Sequence, residues 1–479
     1  MQDYDNHDAT SLAALIAAQE VTPAELVDAA IDRIERRDDE VNAVAHRLFD
    51  EARAAAADPS ALGRPFGGVP FLFKDIGAPL AGQPHQLGAA VLREAGYVAD
   101  EDSFLGAKLR DAGLIALGRT NTPEFAVSVV TESRAHGITR NPWDLSRTPG
   151  GSSGASASAV AARMVPMAHG NDGAGSIRIP AAMTGTVGLK STRARISNGP
   201  FLGEAWAGLA HEGAITRTVR DAALALDVMA GAMPGDPYGC PPPARPYVAE
   251  VGAGPGRLRV GVMTAIGGFD TDPDCVTAVE SVGALLTELG HDVEVAHPPA
   301  LDTWVDMLGA FNRVLIGHVA VDLALVQAIL ERDVADDELE PLTRYYLELG
   351  RRQTPADYLL AVDDLRRWAR AVAGWWRGPY DLLLSPTVAA PPAPLGTLNF
   401  DPATAEPTFR KFLSYLPYTP AFNVTGQPAI SLPLEVNAAG LPIGVQLVAD
   451  TWREDLLLRV AAQLEAARPW ADRRPALAT

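Results

Sequence analysis

Two clusters rich in glycine and serine stand a short segment apart: Pro149-Gly150-Gly151-Ser152-Ser153-Gly154 and Gly170-Asn171-Asp172-Gly173-Ala174-Gly175-Ser176-Ile177-Arg178. Ser152 and Ser176 are 24 positions apart. Glycine lets backbone N–H groups converge on one point, and serine supplies a hydroxyl that attacks or relays a proton. A reactive serine beside a preformed anion site is the minimum equipment for acyl transfer. The same composition also suits a flexible linker or a phosphate-cradling loop.

A serine nucleophile needs a base. None of the nine histidines stands in a G-x-S-x-G elbow or another triad context. His169 lies near the second cluster, and His136 and His211 flank glycine-containing turns; each reads as an ordinary loop or core histidine. No histidine pair has helical metal-ligand spacing with a glutamate, so no metal is expected. The other candidate is Lys74, which ends the apolar run Val69-Pro70-Phe71-Leu72-Phe73. An inward-pointing lysine there would be desolvated and its pKa lowered toward the working range. Taken alone it reads first as a snorkelling surface lysine.

The elements that must position these residues alternate between strand-like and helix-like. The first fifty residues read as helices, with a capping box at Thr22-Pro23-Ala24-Glu25. Leu114 to Leu117 reads as a buried strand closed by Gly118, and Ala155 to Ala162 as a small-residue helix. Strand Leu258 to Val262, helix Val276 to Leu289 and strand Val293 to Val295 make a βαβ pattern. The section from about 300 to 420 is variable in texture, with a proline-rich break at 391–394. Strands 429–432 and 442–448 and a helix over 453–467 close the chain. With no internal repeat or long linker, one α/β domain over 1–479 is expected.

The chain has 479 residues and a net charge of −19, from 40 basic and 59 acidic residues. That balance argues against nucleic acid as a partner. The two cysteines, Cys240 and Cys275, lack the spacing of a metal site or redox pair and both read as plain residues, with mild reactivity of Cys275, which opens a predicted helix, as the alternative. No uninterrupted apolar run approaches the roughly 18 residues of a membrane span. With an acidic, polar start, the expectation is a cytoplasmic protein without a membrane partner.

The two clusters, followed by Pro180-Ala181 and Gly188-Leu189-Lys190, resemble the amidase signature. The flanks agree in order: Gly68-Val69-Pro70, Gly118-Arg119-Thr120-Asn121, Thr216 to Asp221, and Phe422 to Ala429. The resemblance implies a large mixed, twisted β-sheet covered by helices on both faces. The catalytic core would span about 60–230 and a variable substrate pocket about 300–420. It also implies a Ser–Ser–Lys triad: Ser176 as nucleophile, Ser152 as a bridging serine with a cis peptide bond to Gly151, and Lys74 as base. The N–H groups of Gly173, Ala174, Gly175 and Ser176 would form the oxyanion hole, and Ser153, Asp172 and Arg178 would brace the loop. Ala155 and Ala174 replace glycines common in the family; alanine keeps its N–H, so the hole survives if the local φ is negative.

Thr139 to Trp143, Ala168 to Asp172 and Arg453 to Leu458 carry a finer likeness to bacterial amidases of the 6-aminohexanoate cyclic dimer hydrolase type. The implied activity is cleavage of a C–N bond in an amide, anilide, cyclic amide or carbamate, a urethanase or nylon-oligomer hydrolase among them, with no cofactor. A small-molecule substrate and a homodimer are implied. The pocket wall is expected from the Glu124 to Thr131 loop and the 300–420 region. Rival readings are a glutaminase subunit of an amidotransferase complex and a non-catalytic binding protein on the same scaffold.

Overall fold

A computed structural model describes residues 3–401 and 405–478. The strands in chain order are β1 (Val44–Arg47), β2 (Pro70–Lys74), β3 (Ile115–Thr120), the two-residue pair β4 (Glu132–Ser133) and β5 (Gly137–Ile138), β6 (Met167–Asp172), β7 (Val187–Lys190), β8 (His211–Thr216), β9 (Arg259–Val262), β10 (Asp292–Val295), β11 (Leu382–Pro386), β12 (Ala429–Val436) and β13 (Pro442–Ala449). All but β4 and β5 form one 11-stranded sheet in the order β1-β3-β2-β6-β8-β7-β12-β13-β11-β9-β10. It is mixed: β2 lies parallel to β3 and β6, while β6, β8, β7, β12 and β13 run antiparallel in succession.

Every residue of β2, β7, β11 and β13 is buried. A strand buried on both sides needs cover on both faces of the sheet, which the helices supply. The expected βαβ unit is present, with β9 and β10 parallel about an intervening helix. That helix starts at Pro273 rather than Val276, capped by the Asp272 carboxylate, which accepts from the Asp274 N–H. The capping box at Thr22 and Glu25 forms as expected and opens the helix Pro23–Val41.

Two local expectations need correction. The first fifty residues are not all helical, because β1 pairs antiparallel with β3 at the sheet edge. Gly118 does not close β3; the strand continues to Thr120, and the register against β2 shifts beside Gly118. A Cβ there would sit 2.0 Å from the His46 carbonyl oxygen, so the glycine serves the close approach of β1. The alternative of a mildly reactive Cys275 falls, and the residue is the plain one expected: it is packed in the core, and burial pushes its thiol up to about 12.

The 300–420 region is dominated by the helix Trp304–Leu330. Together with the turn before it, this helix is long and apolar enough to cross a membrane by length and composition, at a mean hydropathy of 1.7. Asp306, Arg313 and Asp322 interrupt its apolar run. Its apolar face packs against the helices Pro341–Gly350 and Pro355–Ala373, contributing Trp304, Phe311 and Val314 to one core cluster and Ile316 and Val319 to another.

Candidate active site

Lys74 is the last residue of β2, a central strand, and its side chain is fully buried. Its Nζ donates to Ser152 Oγ at 2.7 Å and to Asn171 Oδ1 at 2.7 Å. Burial lowers its pKa to about 7, against the opposing pull of the Glu212 and Asp172 carboxylates. The lysine is therefore neutral in a large fraction of molecules near neutrality, the state that accepts a proton.

Ser152 is fully buried, and the Gly151–Ser152 peptide is cis, as the resemblance implies. Ser153 N–H donates to the Ser176 carbonyl at 3.2 Å, which joins the two glycine–serine loops through their backbones. Ser152 and Ser176 both face the same cavity. No hydrogen bond links their hydroxyls among the described residues, so the Lys74–Ser152 contact is made and the Ser152–Ser176 contact is not. Catalytic hydrogen bonds commonly tighten only with substrate in place.

The loop carrying Ser176 is fastened by a buried ion pair. Arg178 Nε and Nη2 grip the two Asp172 carboxylate oxygens at 2.9 Å each. Burial opposes the charge of Asp172, but Arg178 and Asn423 hold its pKa well below the usual carboxylate range. Arg178 also donates to Gln446 Oε1 at 2.7 Å and to Asn423 Oδ1 at 2.6 Å. Asn423, quoted in the Phe422 to Ala429 motif, returns two bonds to Asp172 at 2.8 and 2.9 Å. Ser153 Oγ donates to the Asn171 carbonyl at 3.2 Å. All three expected bracing residues thus lie against the loop.

Of the four expected oxyanion donors, Gly175 is already engaged: its N–H donates to Asp172 Oδ1 at 2.7 Å. Its φ is +125°, and a Cβ would strike Thr419 Oγ1 at 2.3 Å, so only glycine fits. Ala174 has no positive φ, which satisfies the condition set for its N–H. Its carbonyl is held by the Thr419 hydroxyl at 2.7 Å.

Two lobes open on either side of Ser176. The larger holds about 610 Å³, within the range of small-molecule sites. The smaller holds about 60 Å³ and is lined by Val129, Ile179, Phe311, Leu315 and Phe412, with no charged residue among those described. Trp206 borders both, and a Cβ on Gly173 would meet its ring at 2.8 Å. The expected wall is partly right: residues 125–129 and the helix Trp304–Leu330 line the lobes. Two further stretches, 76–105 and 197–206, had no signal in the sequence, because irregular loops carry no periodicity. Asn171 and Glu212 were also missed as site residues, although Asn171 lies inside the second cluster.

Among the described residues no histidine hydrogen-bonds to the Ser152 or Ser176 hydroxyl. His169 Nε2 pairs with Glu212 at 2.7 Å, and its Nδ1 accepts from the Lys74 backbone N–H at 3.4 Å. His46, Asp75 and His136, from three separate segments, bring ligand atoms within 4.8 Å of one another. Both Asp75 oxygens already accept from backbone, at Gln86 and Gly88, and the buried Arg119 cation lies alongside. That neighbourhood disfavours a second cation.

Residues 25–458 match the protein family described as Amidase. The chain is 43% identical over 479 residues to the 6-aminohexanoate-cyclic-dimer hydrolase of Paenarthrobacter ureafaciens, across 98% of this chain and 96% of that one. The solved structure of 6-aminohexanoate cyclic dimer hydrolase complexed with substrate matches with a TM-score of 0.95 and 42% identity, covering 99% and 100% of the two chains. A bacterial aryl acylamidase belonging to the amidase signature enzymes matches with a TM-score of 0.86 and 28% identity over 97% of each chain.

Proposed function

The chain belongs to the amidase signature family, and from that premise we propose that it is a serine amidohydrolase working through an acyl-enzyme on Ser176. The observation that carries the reading is the 2.7 Å contact of a buried, readily neutralised Lys74 with Ser152, in a cavity that also exposes Ser176. Neutral Lys74 takes the Ser152 proton while Ser152 takes the proton of Ser176, and Ser176 Oγ attacks the carbonyl carbon. The N–H groups of Gly173, Ala174 and Ser176 receive the oxyanion, each donor contributing about 2.7–4 kcal/mol to the transition state. Gly175, whose N–H is committed to Asp172, braces the loop instead. Collapse breaks the C–N bond and returns the proton through Ser152 to the departing amine. Water then repeats the sequence on the ester and frees the acid.

Cyclic amides of the 6-aminohexanoate type head the substrate classes, on the strength of the whole-length likeness to the hydrolase from Paenarthrobacter ureafaciens. Linear amides, anilides and aryl carbamates follow, since each passes through the same kind of tetrahedral intermediate. A glutaminase subunit and a non-catalytic scaffold are not favoured, because a candidate residue stands in each triad role and the chain is 43% identical over 479 residues to a hydrolase. Both cysteines are free, which suits the reducing cytoplasm.

The test is a hydrolysis screen over cyclic amides, linear amides, anilides and carbamates with wild type, Ser176→Ala and Lys74→Ala. Both variants are expected to lose at least about a thousandfold in kcat. Turnover by Ser176→Ala at the wild-type rate would overturn the mechanism.

A further inference from the structure

The larger lobe has a one-sided charge pattern. Asp100, Glu101, Glu204, Glu212 and Asp322 line it, and among the described residues no lysine or arginine does. Its two histidines, His85 and His318, are held neutral by burial, with pKa values lowered to about 3 and about 4. Glu212 is taken by His169. Asp100 and Glu101 stand at the solvent-exposed mouth. Asp322 and Glu204 both sit half-buried in the wall, with no hydrogen bond or ion pair to any described residue; Glu204 has the Arg193 cation for a neighbour, whereas no charge acts on Asp322. Burial, its sole perturbing influence, pushes its carboxyl up to about 7.

The approach to Asp322 is apolar. On the helix Trp304–Leu330, Leu325 and Ile329 follow it at steps of three and four residues and Val321 precedes it directly, and all of them line the lobe. Phe201 and Leu202 stand opposite along the rim, about half exposed at 52% and 41%. An aliphatic arm lying there is dehydrated by these side chains and ends against a lone carboxylate.

We propose that the larger lobe is built for a substrate arm that ends in a protonated amine, with Asp322 as its acceptor, and that it turns away arms ending in a carboxylate. The inference rests on the reading of this cavity as the amide site. An ammonium against Asp322 satisfies an acceptor that has no partner in the protein, and it restores the ionised carboxyl that burial disfavours. A carboxylate in the same place faces Asp322 in a lobe that is lined by acidic residues and, among the described residues, by no lysine or arginine.

Two series of matched amides test this, with a six-carbon arm on the acyl side in one and on the amine side in the other. In each, the arm ends in ammonium, hydroxyl or carboxylate. In one of the series kcat/KM is expected to be about tenfold or more higher for ammonium than for hydroxyl, with carboxylate lowest. The ammonium-to-hydroxyl ratio should fall to near one in Asp322→Asn, through KM, and return in Asp322→Glu. Calorimetry with Ser176→Ala protein measures the same preference as a ratio of Kd values without turnover. If that protein prefers ammonium while wild type hydrolyses no probe, the hydrolase reading fails and the amine site stands. If wild type hydrolyses the probes but neither series favours ammonium, or if the preference survives Asp322→Asn, the amine site is overturned.

Discussion

Lys74, the proposed base, owes its lowered pKa to its surroundings. Burial lowers its pKa to about 7, and only the neutral form accepts a proton, so kcat/KM is expected to fall about tenfold per pH unit below that value. The Glu212 carboxylate favours the charged lysine and so raises its pKa. Replacing it in Glu212→Gln should lower the Lys74 pKa and move the acid limb of the pH–rate profile to lower pH. A limb that stays put or moves upward would remove Glu212 from the tuning of the base. At this scale the residues of the proposed triad stood out as residue types, two inside glycine-rich motifs and one closing an apolar strand. Asp322 did not, because a single carboxylate in a helical apolar pattern reads as an ordinary solvated position. Glu212 gave no signal either, since its partner His169 lies on a neighbouring strand rather than nearby in sequence.

Among elements, the nucleophile loop depends on a clamp assembled from three places: Asp172 and Arg178 at its ends, Asn423 in a short helix and Gln446 on β13. Removing one side of a buried ion pair strands the other charge, so Arg178→Ala should lower stability by about 3–5 kcal/mol, read as a fall in the denaturation midpoint. Gly175→Ala acts differently. The added Cβ collides with the Thr419 hydroxyl and disfavours the φ of +125°, moving the loop rather than unfolding the protein. Its expected signature is a drop in kcat of about a hundredfold with a much smaller change in thermal midpoint. Long apolar strands such as β12 and β13 were readable from their residues, as was the turn at Asn437 to Gly440 between them. β1 was not, because four residues with no alternation follow directly on a helix ending at Val41 and a left-handed Asn42.

For the whole molecule, one sheet gathers strands from residue 44 to residue 449, and β12–β13 forms its bridge between β7 and β11. Thermal unfolding followed by calorimetry should therefore show a single cooperative transition, and a chain cut before Ala429 should not fold. Separate transitions for the 60–230 and 300–420 regions would contradict this. The fold class followed from alternating elements and from the resemblance. The two-lobed cavity did not, because it is formed by loops and one helix face that meet only when the sheet is complete.

The clamp on the nucleophile loop also sets a timetable. Arg178 and its partner Gln446 are 268 residues apart. At ribosomal speeds of about 5–20 residues per second, the second half of the clamp emerges roughly 13–54 s after the first. Until then the segment holding Ser176 lacks its far anchors, so a nascent or prematurely terminated chain carries the motif without the geometry. Competence arrives late in translation, with the strand that also bridges the two halves of the sheet.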